Sequence, residues 1–163
     1  MGDSLQLSGL IYPKDVIVIT NGQTDTVFSG ANIYLPIDPA LYSLGDIHCS
    51  GIYPTPMYFN GNDAVTLKLL GTGDIIDLIG KVGEDPGASW SDSDGNYWTK
   101  DHTLIRKEDV LQGVTSNPTI FDPTLEWDSL PANTFTNLGF HECDCNMSNL
   151  EDLNHAFKVY PNP

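Results

Sequence analysis

Positively charged residues are scarce in this sequence. Of its 163 residues, 7 are Lys or Arg and 22 are Asp or Glu, so the formal net charge is −15. Binding to phosphate-rich polymers needs clustered cations, and a surface of this charge is repelled by nucleic acids and by anionic lipids. We therefore expect no direct nucleic-acid binding by this chain.

Long apolar runs and cysteines are also few. No window is long and apolar enough to span a bilayer, so no membrane span is expected. Residues 1–4 lack the basic patch and apolar run of a signal peptide, and we interpret the sequence as a piece of a longer protein. Three cysteines are too few for a disulfide framework, and no zinc site is expected, because structural zinc prefers four Cys or His ligands, often in C-x-x-C pairs. A bridge from Cys49 to Cys143 or Cys145 is expected if the protein is exported, and free thiols are the other interpretation.

Sustained helical periodicity and internal repeats are absent as well. The 15 Gly and 11 Pro interrupt the chain often, which favours short strands over long helices. Residues 64–69 alternate apolar and polar side chains and predict a strand, and residues 75–82 predict a second. They are joined by Gly-Thr-Gly-Asp at 71–74, a composition typical of a hairpin turn. The sequence therefore predicts an all-β fold organised around this hairpin.

Other segments predict further short elements. The β-branched run at 15–20 indicates a strand buried on both faces, and 103–107 indicates another. Residues 126–127 and 134–135 are interpreted as final strands. A short helix is predicted over 39–44, with Asp38 as its cap and Pro39 at its first position.

Several blocks together resemble the bacterial branch of the lamin-tail domain family. They occur in the order found in that family, and the resemblance covers roughly residues 5–142. The blocks are residues 59–65, 77–80, 83–87, 103–107, 126–127 and 134–139. The resemblance implies an immunoglobulin-like β-sandwich, in agreement with the short, regularly interrupted strands.

A second resemblance lies at the end of the sequence. Val-Tyr-Pro-Asn-Pro at 159–163 is similar to the opening of the C-terminal sorting domain of type IX secretion in Bacteroidetes. The implied organisation is a lamin-tail-like domain at 5–142, a linker at 143–156 and the start of a truncated sorting domain at 157–163. The implied location is the exterior of the cell, either secreted or attached to the outer surface.

The sequence departs from the family pattern at its start. Family members begin with strands that carry an acidic, Asn-rich stretch, which this chain lacks before residues 5–7. A sandwich without its first strands exposes an unpaired edge, and an unpaired edge invites strand exchange. A strand-exchanged homodimer is therefore a hypothesis.

One acidic loop resembles half of a calcium-binding loop. Asp92, Asp94 and Asn96 place oxygen atoms at alternate positions around Gly95, as hard cations require, and Asp101 is a further candidate ligand. However, a tryptophan stands at the first ligand position, and the terminal Glu is missing. Calcium is thus the candidate cofactor, and a solvated acidic loop is the other interpretation.

Aromatic and basic residues supply the remaining candidates. Trp90 and Trp98 flank the same loop and are candidates for stacking on a carbohydrate or peptide. Trp127 is interpreted as core. Arg106 lies among apolar strand residues, so a carboxylate partner is expected, with Glu126 or Glu84 as candidates.

No nucleophile, base or metal cluster of informative spacing is visible in the sequence. We therefore expect a non-catalytic interaction or structural module of a secreted or surface-attached multidomain protein, with a protein or carbohydrate partner. The alternatives are part of an extracellular hydrolase, such as a nuclease or phosphatase, and a calcium-dependent binding module.

Overall fold

The computed structural model describes residues 4–12, 14–50 and 55–144 of the chain. The predicted linker and sorting segment lie outside the described residues, except for the two residues at 143–144. The elements in chain order are β1 (Ile19–Asn21), β2 (Val27–Ser29), β3 (Asn32–Tyr34), α1 (Pro39–Ser43), β4 (Ile47–Cys49), β5 (Val65–Lys68), β6 (Ile75–Ile79), β7 (His102–Arg106), a 3₁₀ turn (Pro123–Leu125) and β8 (Trp127–Pro131).

The central hairpin is confirmed. β5 pairs with β6 in antiparallel register, with a register shift after Leu67. The connection turns through Gly71 and Gly73, whose φ angles of 95° and 77° are unfavourable for other residues. The N–H of Leu69 donates to the carbonyl of Asp74 at 2.9 Å and closes the turn. Local alternation and turn composition were therefore sufficient to locate this element.

The second antiparallel pair joins distant parts of the sequence. β7 pairs with β8, with Arg106 opposite Trp127 and His102 opposite Pro131. The strand predicted at 103–107 is thus confirmed to within one residue, and the strand predicted at 126–127 is confirmed as the start of one that continues to Pro131. The strand predicted at 134–135 is wrong, because these residues follow a turn in which Asn133 has a φ of 61°.

The N-terminal elements are smaller. β1 and β4 form a parallel pair, and β2 and β3 form a hairpin. The predicted helix is confirmed as α1, and Asp38 caps it by accepting hydrogen bonds from the N–H groups of Ala40 and Leu41. The strand predicted at 15–20 is confirmed only in part. Val16 and Ile17 are each 42% exposed and precede the paired region, so burial on both faces is wrong for them.

The described part of the chain is β-rich, with 25% strand and 6% helix. In the described part of the chain the strands form four separate two-stranded ladders. Buried apolar side chains are few there: Val18, Cys49, Leu78, Trp90 and Pro123. Within the same residues, no helix has the length and hydropathy needed to cross a bilayer.

Candidate functional site

Trp90 belongs to the interior rather than to a binding surface. Its side chain is 4% exposed, and its indole Nε1–H donates to the carbonyl of Asp63 at 3.2 Å. Its ring meets Phe121 edge to face, with centroids 5.2 Å apart. The buried Thr99 accepts a hydrogen bond from the Trp90 N–H. The prediction of a ligand-stacking role for Trp90 is therefore wrong, because both the ring and its polar atom are engaged inside the fold.

Trp98 is half-buried and connects the acidic loop to β8. Its Nε1–H donates to the carbonyl of Trp127 at 3.1 Å, and its own carbonyl accepts from the hydroxyl of Ser129 at 2.7 Å. Both bonds reach across about thirty residues of sequence and fix the loop on the strand. The structure does not bring Trp98 and Trp90 together as one exposed aromatic platform, and a binding role for Trp98 stays a prediction.

The acidic loop is organised around the carboxylate of Asp92. This group accepts hydrogen bonds from the N–H of Asp94 at 3.0 Å, the N–H of Asn96 at 2.8 Å and the side-chain amide of Asn96 at 2.9 Å. The Asn96 side chain and backbone hold the pKa of Asp92 below its usual value. Asp92 thus acts as an Asx-type turn residue, and its oxygens already have partners.

Calcium gains no geometric support from this arrangement. No three His, Cys, Asp or Glu side chains in the described residues lie close enough together to hold a metal ion, so Asp92, Asp94 and Asp101 do not converge. Asp101 has a φ of 56°, which turns the chain into β7. The calcium hypothesis therefore stays a prediction, without a site among these side chains.

The disulfide predicted for Cys49 is wrong. Cys49 is a free thiol, fully buried at the end of β4. Cys143 is disulfide-bonded. The cause is burial: the Cys49 backbone pairs with β1, and its side chain packs as a small apolar group in the interior.

Arg106 is the centre of a charged cluster. Its guanidinium group forms a bidentate ion pair with Asp77, with distances of 2.7 and 2.9 Å, and a third bond to Glu126 at 3.3 Å. It also lies over the ring of Trp127, 4.5 Å from the centroid. The guanidinium therefore ties β6, β7 and the start of β8 together.

The sequence identified only part of this cluster. Of the two predicted partners of Arg106, Glu126 is confirmed and Glu84 is wrong, because Glu84 pairs with Lys81 at 2.7 Å instead. Asp77 was missed. It lies on the neighbouring ladder, 29 residues away, and no local pattern links the two ladders.

Asp77 has a strongly structured environment. Burial raises its pKa, but this effect is outweighed by the Arg106 hydrogen bonds and charge and by the N–H groups of Val114 and Leu78, so the pKa lies below its usual value. The Val114 N–H reaches it at 2.9 Å because the chain passes very close at Gly113, where a Cβ atom would lie 2.4 Å from the carbonyl oxygen of Ile76. Asp77 is thus an ionised structural anchor.

One hydroxyl and one imidazole lie in contact. The Oγ1 of Thr20 and the Nδ1 of His48 are 2.8 Å apart, and His48 stacks on Tyr42 with centroids 3.8 Å apart. Such a pair could in principle activate a nucleophile. However, Thr20 is buried and packs against Gly45, where a Cβ would lie 2.6 Å from the Thr20 hydroxyl. A substrate has no access to this hydroxyl, so the contact serves packing.

Concave regions among the described residues include a hollow and a cleft. A hollow of about 720 Å³ is formed by residues 109–116 together with Glu126, whose carboxylate already binds Arg106. A cleft of about 330 Å³ runs between residues 16–19 and 103–106 and is bordered by Trp127 and by residues 134 and 137–141. The second region is mainly apolar, and sequence patterns gave no indication of it beyond the apolar run at 15–20.

No family model, no curated protein and no solved structure matches this chain.

Proposed function

We propose that this chain is a non-catalytic interaction or structural module of a secreted or surface-attached bacterial multidomain protein. The proposal includes the finer fold, an immunoglobulin-like β-sandwich of the lamin-tail type, on the strength of the sequence blocks within residues 5–142. The export assignment is supported by the sorting-like sequence at 159–163.

The observation that supports a structural role most is the engagement of the reactive groups. Arg106, Asp77 and Glu126 bind one another, and the Asp92 carboxylate binds its own loop. A catalytic acid or base must direct a proton donor or acceptor at the substrate, within hydrogen-bond reach of the reacting atoms. These groups instead use their hydrogen-bonding capacity to connect segments of the chain.

Activity assays on the purified chain test this proposal. Phosphate monoesters and diesters, carboxylic esters, casein and DNA serve as substrates, and the expected rates equal those of buffer. The matched control is His48→Gln, which removes the imidazole that contacts Thr20. Turnover by the wild-type chain that is lost in this variant would overturn the proposal in favour of a hydrolase.

The location is tested on the full-length gene product. We expect it in the culture medium, or on intact cells in a position where an antibody raised against this chain reaches it. Detection only after cell lysis would contradict the export assignment while leaving the structural role untouched.

A further inference from the structure

The apolar cleft runs along the edges of two extended segments. Four successive residues on each side line it, 16–19 on one and 103–106 on the other. Trp127 and residues 134 and 137–141 complete the lining, so the cleft lies between the two segments and is bordered by the C-terminal part of the described chain. β1 and β7 are not hydrogen-bonded neighbours, and each has one strand partner in the described residues, β4 and β8 respectively.

The hydrogen bonds of β1 show which backbone groups face the cleft. The carbonyl of Val18 accepts from the N–H of Ile47 at 3.1 Å, and the N–H of Gly22 donates to the carbonyl of Cys49 at 2.8 Å. Even-numbered residues therefore direct their N–H and C=O groups to β4. By alternation, Ile17 and Ile19 direct theirs to the opposite edge, where the cleft lies.

The same reasoning applies to β7. The N–H of Lys107 donates to the carbonyl of Glu126 at 2.9 Å, and the register continues this pairing with Thr103 opposite Leu130. Odd-numbered residues thus bind β8, and the backbone groups of Leu104 and Arg106 point away from it. Both walls of the cleft consequently carry backbone donors and acceptors in the spacing of a strand edge.

From this arrangement we infer that the cleft binds an extended apolar segment of a partner protein, bearing lysine or arginine, by strand addition. The inference rests on the proposed role as an interaction module and names its site. The bound strand would lie between β1 and β7 and complete a five-stranded sheet in the order β4, β1, partner, β7, β8. Four residues of strand span about 13 Å, which sets the length of the paired segment.

The lining provides the apolar contacts for such a segment. Val16 and Ile17 on one wall, and Leu138 and Phe140 at the rim, are exposed apolar side chains that the bound strand would cover. Backbone hydrogen bonds supply affinity in strand addition, and pockets for alternate side chains supply specificity.

Charge selects the partner. The chain carries 22 acidic and 7 basic residues, and the guanidinium group of Arg106, a residue that lines the cleft, forms ion pairs with Asp77 and Glu126. An acidic peptide is repelled by this field, and so is a second copy of a chain with a net charge of −15. A basic apolar segment is attracted, which favours it over both.

A labelled peptide tests the assignment by fluorescence anisotropy with the full chain. The probe is a short blocked peptide in which valine alternates with lysine and threonine. We expect saturable binding that weakens with salt, and binding about tenfold weaker when glutamate replaces lysine. N-methylation of alternate amides removes the donors of one peptide edge and should abolish binding. Equal binding of the N-methylated peptide would overturn strand addition.

Two matched variants locate the contact. Phe140→Arg adds a positive charge at the rim and should weaken binding about tenfold. Ile33→Arg makes the same charge change on the β2–β3 hairpin, where the side chain is 61% exposed and does not line the cleft, and should leave affinity nearly unchanged. Equal loss in both variants would show non-specific charge attraction and refute the site.

Amide hydrogen exchange identifies the occupant. Peptide binding should protect the amides of Ile17, Ile19, Leu104 and Arg106 and leave Thr103 and Ile105 unchanged, since these two already bind β8. Protection of the first four in a free monomer would mean that the chain itself fills the cleft. Protection that accompanies a concentration-dependent dimer would assign the cleft to a second copy. Either result overturns the partner assignment, whereas hydrolytic turnover would overturn the proposed function instead.

Discussion

The two halves of the described chain are each held by one multidentate polar side chain, but the chemistry differs. In the half that contains β5–β8, Arg106 binds Asp77 and Glu126 through charged groups. In the half that contains β1–β4, the buried Gln23 donates to the carbonyls of Asp25, Tyr34 and Leu35 and accepts from the hydroxyl of Tyr58.

The two side chains predict a different dependence of stability on pH for the two halves. A neutral amide does not titrate, so the contribution of Gln23 to stability should not depend on pH, whereas the contribution of Arg106 depends on an ionised carboxylate. The N-terminal half also exposes large apolar side chains, as on the β2–β3 hairpin. Substitutions that remove either the Arg106 side chain or the Gln23 side chain can separate the two contributions to stability.

Arg106→Leu should have the largest effect. The Arg106 side chain is 15% exposed, and its removal leaves Asp77 and Glu126 as neighbouring charges without a cation. Breaking a partly buried ion pair at one partner costs about 3–4 kcal/mol of unfolding free energy. Urea unfolding measures the loss. Arg106→Lys keeps the charge but not the bidentate geometry, so its stability should lie between those of the wild type and Arg106→Leu. A loss no greater than that of Lys81→Met, which removes a surface ion pair, would contradict a central role for Arg106.

Gln23→Leu should cause the second-largest loss of unfolding free energy. The substitution keeps the volume but removes the donor to two β3-side carbonyls and the acceptor for Tyr58. Leaving such groups short of a partner costs about 2–3 kcal/mol in total. Gln23→Glu serves as the control, because it keeps the acceptor oxygen and loses the amide donor. Stability equal to that of the wild type in the leucine variant would show that apolar packing, not the amide, holds this half.

Gly113→Ala tests the close approach that brings the 109–116 loop to Asp77. The added Cβ would lie 2.4 Å from the carbonyl oxygen of Ile76, so the loop must shift and the Val114 bond to Asp77 must lengthen. Forced overpacking of this kind costs about 1–2 kcal/mol. Thermal unfolding measures it, with Gly83→Ala as the comparison, where a Cβ meets no neighbour but the φ of 87° is strained. A smaller loss at Gly113 than at Gly83 would be inconsistent with the crowding.

Acid should destabilise the C-terminal half specifically. The folded pKa of Asp77 is lowered, so its contribution is complete above the unfolded value of about 3.9 and is lost as the pH falls through the folded pKa. The difference in unfolding free energy between wild type and Asp77→Asn should therefore be constant at neutral pH and shrink below about pH 4. The corresponding difference for Gln23→Leu should not change with pH in that range. If the stability differences of both variants shrank equally at low pH, the two halves would not differ in their electrostatic contribution to stability.

Elements set by neighbouring residues could be predicted from the sequence. The β5–β6 hairpin follows from alternation around a Gly-rich turn, and α1 follows from Asp38 and Pro39. The partnership of Arg106 with Glu126 was also foreseen. What failed depends on how distant segments meet: Asp77 beside Arg106, the burial of Trp90, and the free thiol of Cys49. Burial and long-range partners are decided by the assembly of ladders, which local periodicity does not encode.

Phe28→Thr should have the smallest effect on the free energy of unfolding, and it tests whether the exposed face of the N-terminal half contributes to stability. Phe28 is 72% exposed on β2 and faces Ile33 across the hairpin. Threonine is also a favourable strand residue, and an exposed substitution of this kind changes stability by less than about 0.5 kcal/mol. Urea unfolding is the measurement, and Leu78→Thr is the buried control on β6, expected to lose several times more. A large loss for Phe28→Thr would mean that this apolar face is covered in solution, and the N-terminal half would then depend on contacts beyond Gln23.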